Sequence, residues 1–422
     1  MNWTLKALGA GREVGRSCLL LDAGEKFLFD CGVKLEPTGT EYPLPVTVNL
    51  DAIIISHGHL DHSGYLPSLF NKTHSLTYMT QPTLDIGMLL WLDSLKIAGM
   101  EGLDAHYTKD QLHSVERFTF PVGYKKSIQI TPRTTMEFFD AGHIIGSAIT
   151  KLHLPGNKSF VYTGDFNGDE TRLFNKADVK LGNVDYLMME TTYGNRNHPP
   201  RKESEKRFVE SVKQTIENGG HALVSAFAVG RSQELVDVLV ESKVNGPIYL
   251  DGMCQAASKI FLRYPKFLKN PKQLKKALNK VQWIKSDSMR RRVLKEPSVV
   301  VTTSGMLSGG PINFYLKKLH AEPKSKLFLT GYQVPETPGR ILLETGNLPL
   351  GGEIIRPKLA VEKFDFSAHS DHNALIRTVK KVNPGKIICC HGDAQVMEEF
   401  KREVELMGFE VLAPKTGETI TL

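Results

Sequence analysis

Four residues in the stretch 56–64 carry side chains that can bind a metal ion: His57, His59, Asp61 and His62. His57 and His59 are two residues apart, so in an extended backbone both side chains point to the same side. Asp61 and His62 are adjacent, and a turn or the start of a helix would be needed to direct both at one ion. Imidazole nitrogen together with carboxylate oxygen suits zinc better than calcium or magnesium, which prefer oxygen ligands alone. The spacing therefore predicts a zinc site, with a polar loop as the alternative.

The elements that must position these residues are strands. The run 51–55 is apolar and β-branched, and it predicts a buried strand that ends where the histidines begin. Further candidates follow predicted strands in the same way: Asp165, Glu190, His369 and His391. Strands whose carboxyl ends gather polar side chains are typical of layered α/β folds. Asp30 ends another predicted strand, where it could either orient a metal ligand or cap a turn.

The composition is that of a globular protein, with 41% hydrophobic and 23% charged residues. A chain of 422 residues predicts two domains. No apolar run approaches the roughly 20 residues of a transmembrane helix, and the first residues lack the pattern of a secretion signal, so we expect a cytoplasmic protein with no membrane partner. The five cysteines are odd in number and form no Cys-x-x-Cys motif, which argues against a disulfide framework and a cysteine zinc site.

The pattern of the chain changes near residue 195, where a polar stretch with two consecutive prolines predicts a crossing between domains. From 204 to 332 predicted strands and helices alternate, which indicates a second α/β domain. The stretch 339–352 predicts the return crossing. We therefore expect residues 1–194 and 353–422 to form one domain and residues 195–352 to form a domain inserted into it.

Two glycine-containing loops are candidates for phosphate binding. The stretch from Gly9 to Gly15 has the spacing Gly-x-Gly-x-x-x-Gly and precedes a predicted strand instead of a helix, so it does not match the dinucleotide-binding fingerprint and we interpret it as a turn. The stretch from Ser304 to Pro311 precedes a predicted helix start. Backbone N–H groups at such a position could bind a phosphate, and a tight turn is the alternative.

Residues 259–296 contain thirteen lysines and arginines but only two acidic residues. This window could consist of solvated helix faces, or it could bind a polyanion with Tyr264, Phe267 and Trp283 as stacking partners. The net charge of the whole chain is +7, which permits a polyanionic partner without requiring one.

A resemblance to a known family rests on five motifs: His57-x-His59-x-Asp61-His62, Thr-Gly-Asp165, Glu190-Thr-Thr-Tyr-Gly, Ser-Ala-His369 and His391-Gly-Asp. They resemble the β-CASP branch of the metallo-β-lactamase superfamily, and they are most similar to archaeal and bacterial ribonucleases related to the nuclease subunit of the cleavage and polyadenylation specificity factor. The resemblance covers nearly the whole chain. It implies an α/β fold, in which a metallo-β-lactamase αββα sandwich carries an inserted α/β β-CASP domain.

The resemblance also implies two Zn²⁺ ions per chain and a role for each site residue. The first ion would be held by His57, His59 and His143. The second would be held by Asp61, His62 and His391, with Asp165 bridging the two. The catalytic residues would be Asp61, Glu190 and His369, with Glu190 orienting His369. Asp30 would support a ligand from behind, and RNA phosphate would be contacted by Ser304, Gly305, Ser367 and Arg231.

The implied function is zinc-dependent hydrolysis of RNA phosphodiester bonds, as an endonuclease, a 5′-to-3′ exonuclease or both, in RNA processing or decay. Two zinc ions would lower the pKa of a bridging water, and His369 would protonate the leaving oxygen because histidine titrates near neutrality. The products would carry a 5′-phosphate and a 3′-hydroxyl. The expected partner is single-stranded RNA. A homodimer and an association with other RNA-processing or decay proteins are compatible with the sequence.

Three alternative functions differ from this one in what they require. A DNA nuclease of the Artemis type would tend to have an aliphatic residue where the resemblance places His391. A catalytically inactive RNA-processing scaffold would lose metal ligands, whereas all seven are present here. A small-molecule hydrolase of the same superfamily would need neither the inserted domain nor the pair of Glu190 and His369.

Overall fold

The computed structural model describes residues 3–36 and 39–422, and the chain divides into two compact units. The first unit comprises Met1–Asn197 together with Ala368–Leu422, and the second unit comprises His198–Ser367. The return crossing therefore lies after residue 367, later than the expected residue 352.

The later crossing has a simple structural cause. The strand Ala360–Lys363 pairs in parallel with the strand Lys326–Leu329 and extends the sheet of the second unit. The apolar alternation that leads to His369 thus belongs to the inserted unit up to Ser367, and the first unit resumes at Ala368.

Within the described residues, the first unit contains two seven-stranded sheets. The strands of the first sheet, in spatial order, are Thr419–Thr421, Thr4–Gly9, Cys18–Asp22, Lys26–Phe29, Ala52–Ile54, Thr77–Met79 and Thr119–Pro121. The strands of the second sheet are Glu410–Leu412, Lys386–Cys390, Tyr186–Glu190, Lys158–Tyr162, Ala148–Leu154, Thr135–Asp140 and Ile128–Gln129. A separate pair is formed by Lys34–Glu36 and Gly39–Glu41.

The two sheets pack face to face because their apolar side chains alternate along each strand, with successive residues on opposite faces. In the first sheet, Phe27 and Phe29 face the core between the sheets, whereas Leu28 belongs to the core on the outer face. In the second sheet, Phe160 lies in the same central core, and Val161 faces outward.

Helices cover both outer faces. The helices on the first sheet are Leu60–Ser63, Leu66–Leu69, Gln81–Glu101 and Lys109–Phe118, and those on the second sheet are His372–Val382 and Ala394–Leu406. The first unit is therefore a helix–sheet–sheet–helix sandwich, which confirms the predicted αββα architecture. In the part of the chain that the structure describes, no helix is both long and apolar enough to cross a membrane.

The second unit, all of whose residues are described, is built on a six-stranded parallel sheet. Its strands, in spatial order, are Gln282–Trp283, Ile248–Asp251, Val299–Thr302, Ala222–Ser225, Lys326–Leu329 and Ala360–Lys363. Its α-helices are Arg201–Glu217, Arg231–Glu241, Cys254–Arg263, Pro271–Lys280, Asp287–Val293, Ile312–Leu319 and Pro338–Thr345, with a 3₁₀ turn at Pro265–Phe267 and a hairpin of Leu348–Leu350 with Glu353–Ile355. Parallel strands require crossover connections, which the helices supply.

Parallel pairing in the first unit brings the candidate residues together. Lys26–Phe29 pairs in parallel with Ala52–Ile54 in one sheet, and Lys158–Tyr162, Tyr186–Glu190 and Lys386–Cys390 are neighbours in parallel in the other. Parallel strands have their carboxyl ends at the same edge of a sheet. The residues that follow these five strands therefore meet at one edge of the sandwich.

Candidate active site

The first group of candidate metal ligands consists of His57, His59 and His143, which are close enough to hold one ion. The Nδ1 atom of His59 lies 3.2 Å from Nε2 of His57 and 3.3 Å from Nε2 of His143. Ligand nitrogens around a tetrahedral zinc ion are roughly 3.3–3.4 Å apart when each Zn–N bond is about 2.0–2.1 Å long, so the spacing fits one ion. Burial lowers the pKa of all three imidazoles. They are thereby kept neutral, as metal ligands must be.

The second group consists of Asp61, His62, Asp165 and His391. The Nε2 atom of His62 lies 3.2 Å from Oδ2 of Asp165, and Nε2 of His391 lies 3.6 Å from Oδ2 of Asp61. Both Nε2 atoms are buried, and neither makes a hydrogen bond within the described residues. Buried polar atoms nearly always have a partner. Two orphaned imidazole nitrogens next to carboxylate oxygens therefore fit a metal ion as their shared partner.

The charges in the second group favour a cation. Burial disfavours the charged forms of Asp61 and Asp165, but the neighbouring His62 and His391 outweigh it, and the pKa of both carboxyls is lowered. Burial also lowers the pKa of the two histidines, yet Asp165 raises that of His391 to about 10 and, with Asp30, raises that of His62 well above its usual value. The carboxylates thus stabilise positive charge at this position. Without metal that charge is the extra proton on each of His62 and His391, and a divalent ion would replace the two protons.

Asp165 lies between the two groups. Its Oδ2 atom is 3.7 Å from Nε2 of His57 and 3.8 Å from Nε2 of His143, in addition to its contact with His62. Its side chain is 1% exposed. A single carboxylate in this position can contribute an oxygen to each group.

Asp30 binds His62 through Nδ1, the ring nitrogen on the side away from the candidate metal position. The Oδ2 atom of Asp30 accepts hydrogen bonds from Nδ1 of His62 at 2.7 Å, from the Tyr162 hydroxyl at 2.7 Å and from the Ser56 hydroxyl at 2.9 Å. Its Oδ1 atom accepts a bond from the backbone N–H of Ser56 at 2.7 Å. Of the two roles predicted for Asp30, orienting a ligand is therefore the one that its contacts match. Such partners fix the tautomer and direction of a metal-binding histidine.

Two glycines allow the chain to pass close to the ligands. A Cβ atom on Gly32 would lie 1.8 Å from the carbonyl oxygen of Asp61, so no other residue fits between the Asp30 turn and the histidine motif. Gly164 precedes Asp165 with φ at +53°, and a Cβ atom there would lie 2.5 Å from Cβ of Ser56. Both glycines are needed because L side chains have no room at either position.

Glu190 and His369 form a pair beside the ligand groups. The Nδ1 atom of His369 lies 3.1 and 3.0 Å from the two carboxylate oxygens of Glu190, and Oε1 of Glu190 also accepts the backbone N–H of Phe166 at 2.9 Å. Burial lowers the pKa of His369, but the charges of Glu190 and Asp165 outweigh it, and the pKa is raised. His143, Asp165 and His369 could also hold an ion, but Nδ1 of His369 is engaged by Glu190.

The residues predicted to contact RNA phosphate lie in the second unit, whereas the metal ligands lie in the first. Ser304 and Gly305 occupy the loop before the helix Ile312–Leu319, where Nε2 of Gln333 donates to the Gly305 carbonyl at 2.9 Å. The backbone N–H of Ser367 donates to Oδ1 of Asp365 at 3.0 Å.

Arg231 differs from Ser304 and Ser367 because its side chain is buried and forms an ion pair. Its guanidinium lies 2.6 Å from a carboxylate oxygen of Glu234, and the residue is 8% exposed. A phosphate contact by Arg231 would require this buried side chain to become accessible.

The basic window is divided between surface and core. On the helix Pro271–Lys280, the lysines Lys272, Lys276 and Lys280 are exposed at i, i+4 spacing. Arg290 instead forms two hydrogen bonds with the buried carboxylate of Asp251, at 2.7 and 2.9 Å. The lysines can therefore meet a polyanion, whereas Arg290 belongs to the packing of the second unit.

The loop between Thr4–Gly9 and Cys18–Asp22 has a role that the sequence did not reveal. A strand follows it, as predicted, and no phosphate-binding helix is present there. Its backbone supports two metal ligands, because His391 N–H donates to Ala10 O at 2.9 Å and Ser17 N–H donates to Asp61 O at 2.7 Å. These partners are remote in sequence, and the only local signal was the run of glycines.

Three family models match parts of this chain. The Beta-Casp domain model matches residues 233–342, the model of the Zn-dependent metallo-hydrolase RNA specificity domain matches residues 354–414, and the model of the anti-Pycsar protein Apyc1 matches residues 6–200. The chain is also 40% identical over 427 residues to the probable RNase MJ4 of Methanocaldococcus jannaschii, with 98% of this chain and 99% of that protein covered.

This chain belongs to the β-CASP family of the metallo-β-lactamase superfamily. The resemblance inferred from the five motifs is thereby confirmed. Two other relatives of this β-CASP protein are RNase aCSPSF2 of Saccharolobus solfataricus, 35% identical over 100% of this chain and 86% of the relative, and the transcription termination factor FttA of Methanosarcina mazei, 36% identical over 99% and 71%. A crystal structure of a protein of unknown function from Enterococcus faecalis has a TM-score of 0.62 at 13% identity and covers 100% of both chains, which shows the fold alone.

Proposed function

We propose that this protein is a zinc-dependent ribonuclease that hydrolyses phosphodiester bonds in single-stranded RNA. One observation carries the proposal: Asp165 lies between two groups of candidate metal ligands, and the pair of Glu190 and His369 lies directly beside them. The names of the relatives, RNase MJ4 and RNase aCSPSF2, and the match to an RNA specificity domain support RNA as the substrate.

The proposal places two zinc ions at the ligand groups, one at each. When bound, such ions supply an acidified water and offset negative charge on the phosphate oxygens. The chain's own contribution is to hold the ligands before the ions arrive. Asp30 directs His62, and the carbonyl oxygen of Ala368 accepts a hydrogen bond from Nδ1 of His143 at 2.9 Å. The backbone N–H of His391 is fixed by Ala10. These contacts reduce the ordering that metal binding would otherwise require.

The proton for the leaving oxygen is assigned to His369. Glu190 occupies Nδ1 of the ring, so Nε2 is the atom that can donate. The nearby carboxylates raise the pKa of His369 against the effect of burial and so favour the protonated ring that a proton donor needs. Donation to the O3′ atom would leave a 3′-hydroxyl on one product and a 5′-phosphate on the other. A homodimer, partners in RNA processing or decay, and a cytoplasmic location stay predictions.

The test uses one sequence made as single-stranded RNA and as single-stranded DNA, each labelled at the 5′ end. We expect the purified protein to cleave the RNA, to lose this activity in a chelator and to regain it with zinc. Released single nucleotides indicate a 5′-to-3′ exonuclease, and discrete internal fragments indicate an endonuclease. His57→Ala should be inactive, whereas the control His113→Ala, an exposed histidine outside the site, should match the wild type. Equal cleavage of the DNA, or equal activity of both variants, would contradict the proposal.

A further inference from the structure

An arginine lies next to the catalytic pair and has no carboxylate partner among the residues that the structure describes. The ring of Tyr193 lies 5.8 Å from the ring of His369, centroid to centroid, and the guanidinium carbon of Arg196 lies 4.5 Å from the centroid of Tyr193. Three side chains thus form a row that begins at the proposed proton donor and ends at an exposed cation.

The backbone that carries this arginine is fixed to the first unit. The carbonyl oxygen of Arg196 accepts the backbone N–H of His372 at 3.0 Å, and the carbonyl oxygen of Gly194 accepts Nδ1 of His372 at 2.7 Å. The next residue, Asn197, accepts the backbone N–H of Asn373 at 3.0 Å. The start of the helix His372–Val382 therefore holds the segment in place, so the position of the Arg196 backbone is set by the fold.

The guanidinium has unused donors. Among the described residues, Arg196 makes neither a side-chain hydrogen bond nor an ion pair, whereas Arg377 in the same unit binds Asp169 with two bonds of 2.8 and 2.9 Å. The cation–π contact with Tyr193 uses none of the N–H donors in a hydrogen bond within the described residues. A guanidinium can donate two parallel N–H···O hydrogen bonds to one phosphate, a geometry that other side chains do not offer.

The charges of the site leave room for a further cation. Asp30, Asp61, Asp165 and Glu190 are four carboxylates within or directly behind the site. Together they offset the charge of two divalent ions. A polyanionic substrate would therefore meet little net attraction at the ligand groups themselves, and the cations beside them, His369 as the proposed proton donor and Arg196, would supply it.

We propose that Arg196 binds the RNA phosphate next to the scissile one, on the side of the leaving group. This inference rests on the proposed ribonuclease function. If Nε2 of His369 protonates O3′, the departing nucleotide lies on the His369 side of the scissile bond, and its own 5′-phosphate is the next anion along the chain. Arg196 stands on that side, beyond Tyr193.

The test is a double-mutant cycle in which one change is made in the protein and the other in the RNA substrate. The protein change is Arg196→Gln, which removes the charge. The substrate change replaces the phosphate 5′ of the departing nucleotide by a neutral methylphosphonate, in an RNA whose single cleaved bond has been mapped. The matched control is Arg402→Gln, an arginine of the same unit whose side chain is 71% exposed. Zinc content and melting temperature of every variant are measured beside KM and kcat.

Either change alone should raise KM about 10- to 100-fold, as expected for the loss of a hydrogen bond to a charged group. The two changes together should raise KM no further than one alone, and Arg402→Gln should follow the wild type on both RNAs. An equal loss for Arg196→Gln on both RNAs would overturn the inference, because the residue would then act through Tyr193 and His369. An unchanged KM on the phosphate RNA would overturn it as well. If the wild type cleaves neither RNA, the ribonuclease proposal fails first and this inference fails with it.

Discussion

Replacing Asp30 by asparagine should weaken zinc binding by the second ligand group. The Oδ2 atom of Asp30 accepts three hydrogen bonds, from His62, Tyr162 and Ser56, and Oδ1 accepts a fourth from a backbone N–H. An amide has only one oxygen, so its NH₂ group must face either the backbone donor or the three side-chain donors. The hydroxyls can rotate away. If the NH₂ group faces the side chains, the ring of His62 cannot turn away and would have to move its proton from Nδ1 to Nε2, the atom that must bind the metal. If the NH₂ group faces the backbone donor, His62 keeps an oxygen acceptor but loses the negative charge behind it.

The size of the effect follows from this arrangement. Changing an outer hydrogen-bond partner of a metal-binding histidine typically costs about 10- to 100-fold in metal affinity, which corresponds to about 1.4–2.7 kcal/mol. Because Asp30 is fully buried, donors that lose their acceptor should also cost about 1–3 kcal/mol in the stability of the metal-free protein.

The assay is competition for zinc against a chelator of known affinity, with thermal unfolding of the metal-free protein measured in parallel. Tyr162→Phe is the matched control, because it removes one donor to the same Oδ2 atom and leaves the bond from His62 intact. We expect its zinc affinity to fall less than tenfold. The reasoning is refuted if Asp30→Asn binds zinc as tightly as the wild type, or if Tyr162→Phe loses as much affinity as Asp30→Asn.

Three further predictions test other parts of the site. Elemental analysis of protein purified without added metal should give two zinc ions per chain, and one ion or none at full activity would contradict the two-ion arrangement. His369→Ala should retain zinc and lose RNA cleavage about 10²–10⁴-fold, with a smaller loss on bis-p-nitrophenyl phosphate, whereas His391→Ala should lose zinc. Lys276→Glu combined with Lys280→Glu should weaken RNA binding and flatten its salt dependence, and an unchanged slope would leave the lysines as solvated surface.

The sequence-based predictions succeeded for features that depend on neighbouring residues and missed those that depend on contacts between residues far apart in the chain. The histidine motif, Asp165 and His391 could be found because each stands just after an apolar strand, and the side-chain type together with local spacing defines the chemistry. The support from Ala10 and Tyr162 could not be found, because these residues contact His391 and Asp30 across separate parts of the chain.

The local sequence pattern also could not predict which arginines are paired with a carboxylate in the folded protein. Arg231 and Arg290 look alike in the sequence as cations in polar surroundings. The structure buries Arg231 against Glu234 and pairs Arg290 with Asp251, whereas Arg196 is exposed and its donors bind no side chain in the described part of the chain. The composition gives the number of charged residues, but only the tertiary structure shows which of them are neutralised by an ion pair.

The sequence alone determined the alternation of strands and helices, the layered α/β fold and which residues are candidate metal ligands. Periods of two and of about 3.6 residues are local properties, and ligand chemistry is a property of side-chain type. The tertiary structure decided the register of the strand Ala360–Lys363, which moved the return crossing beyond residue 352, and it decided how the ligands divide into two groups around Asp165. Both depend on strand pairings and distances between residues far apart in the chain, which no local pattern encodes.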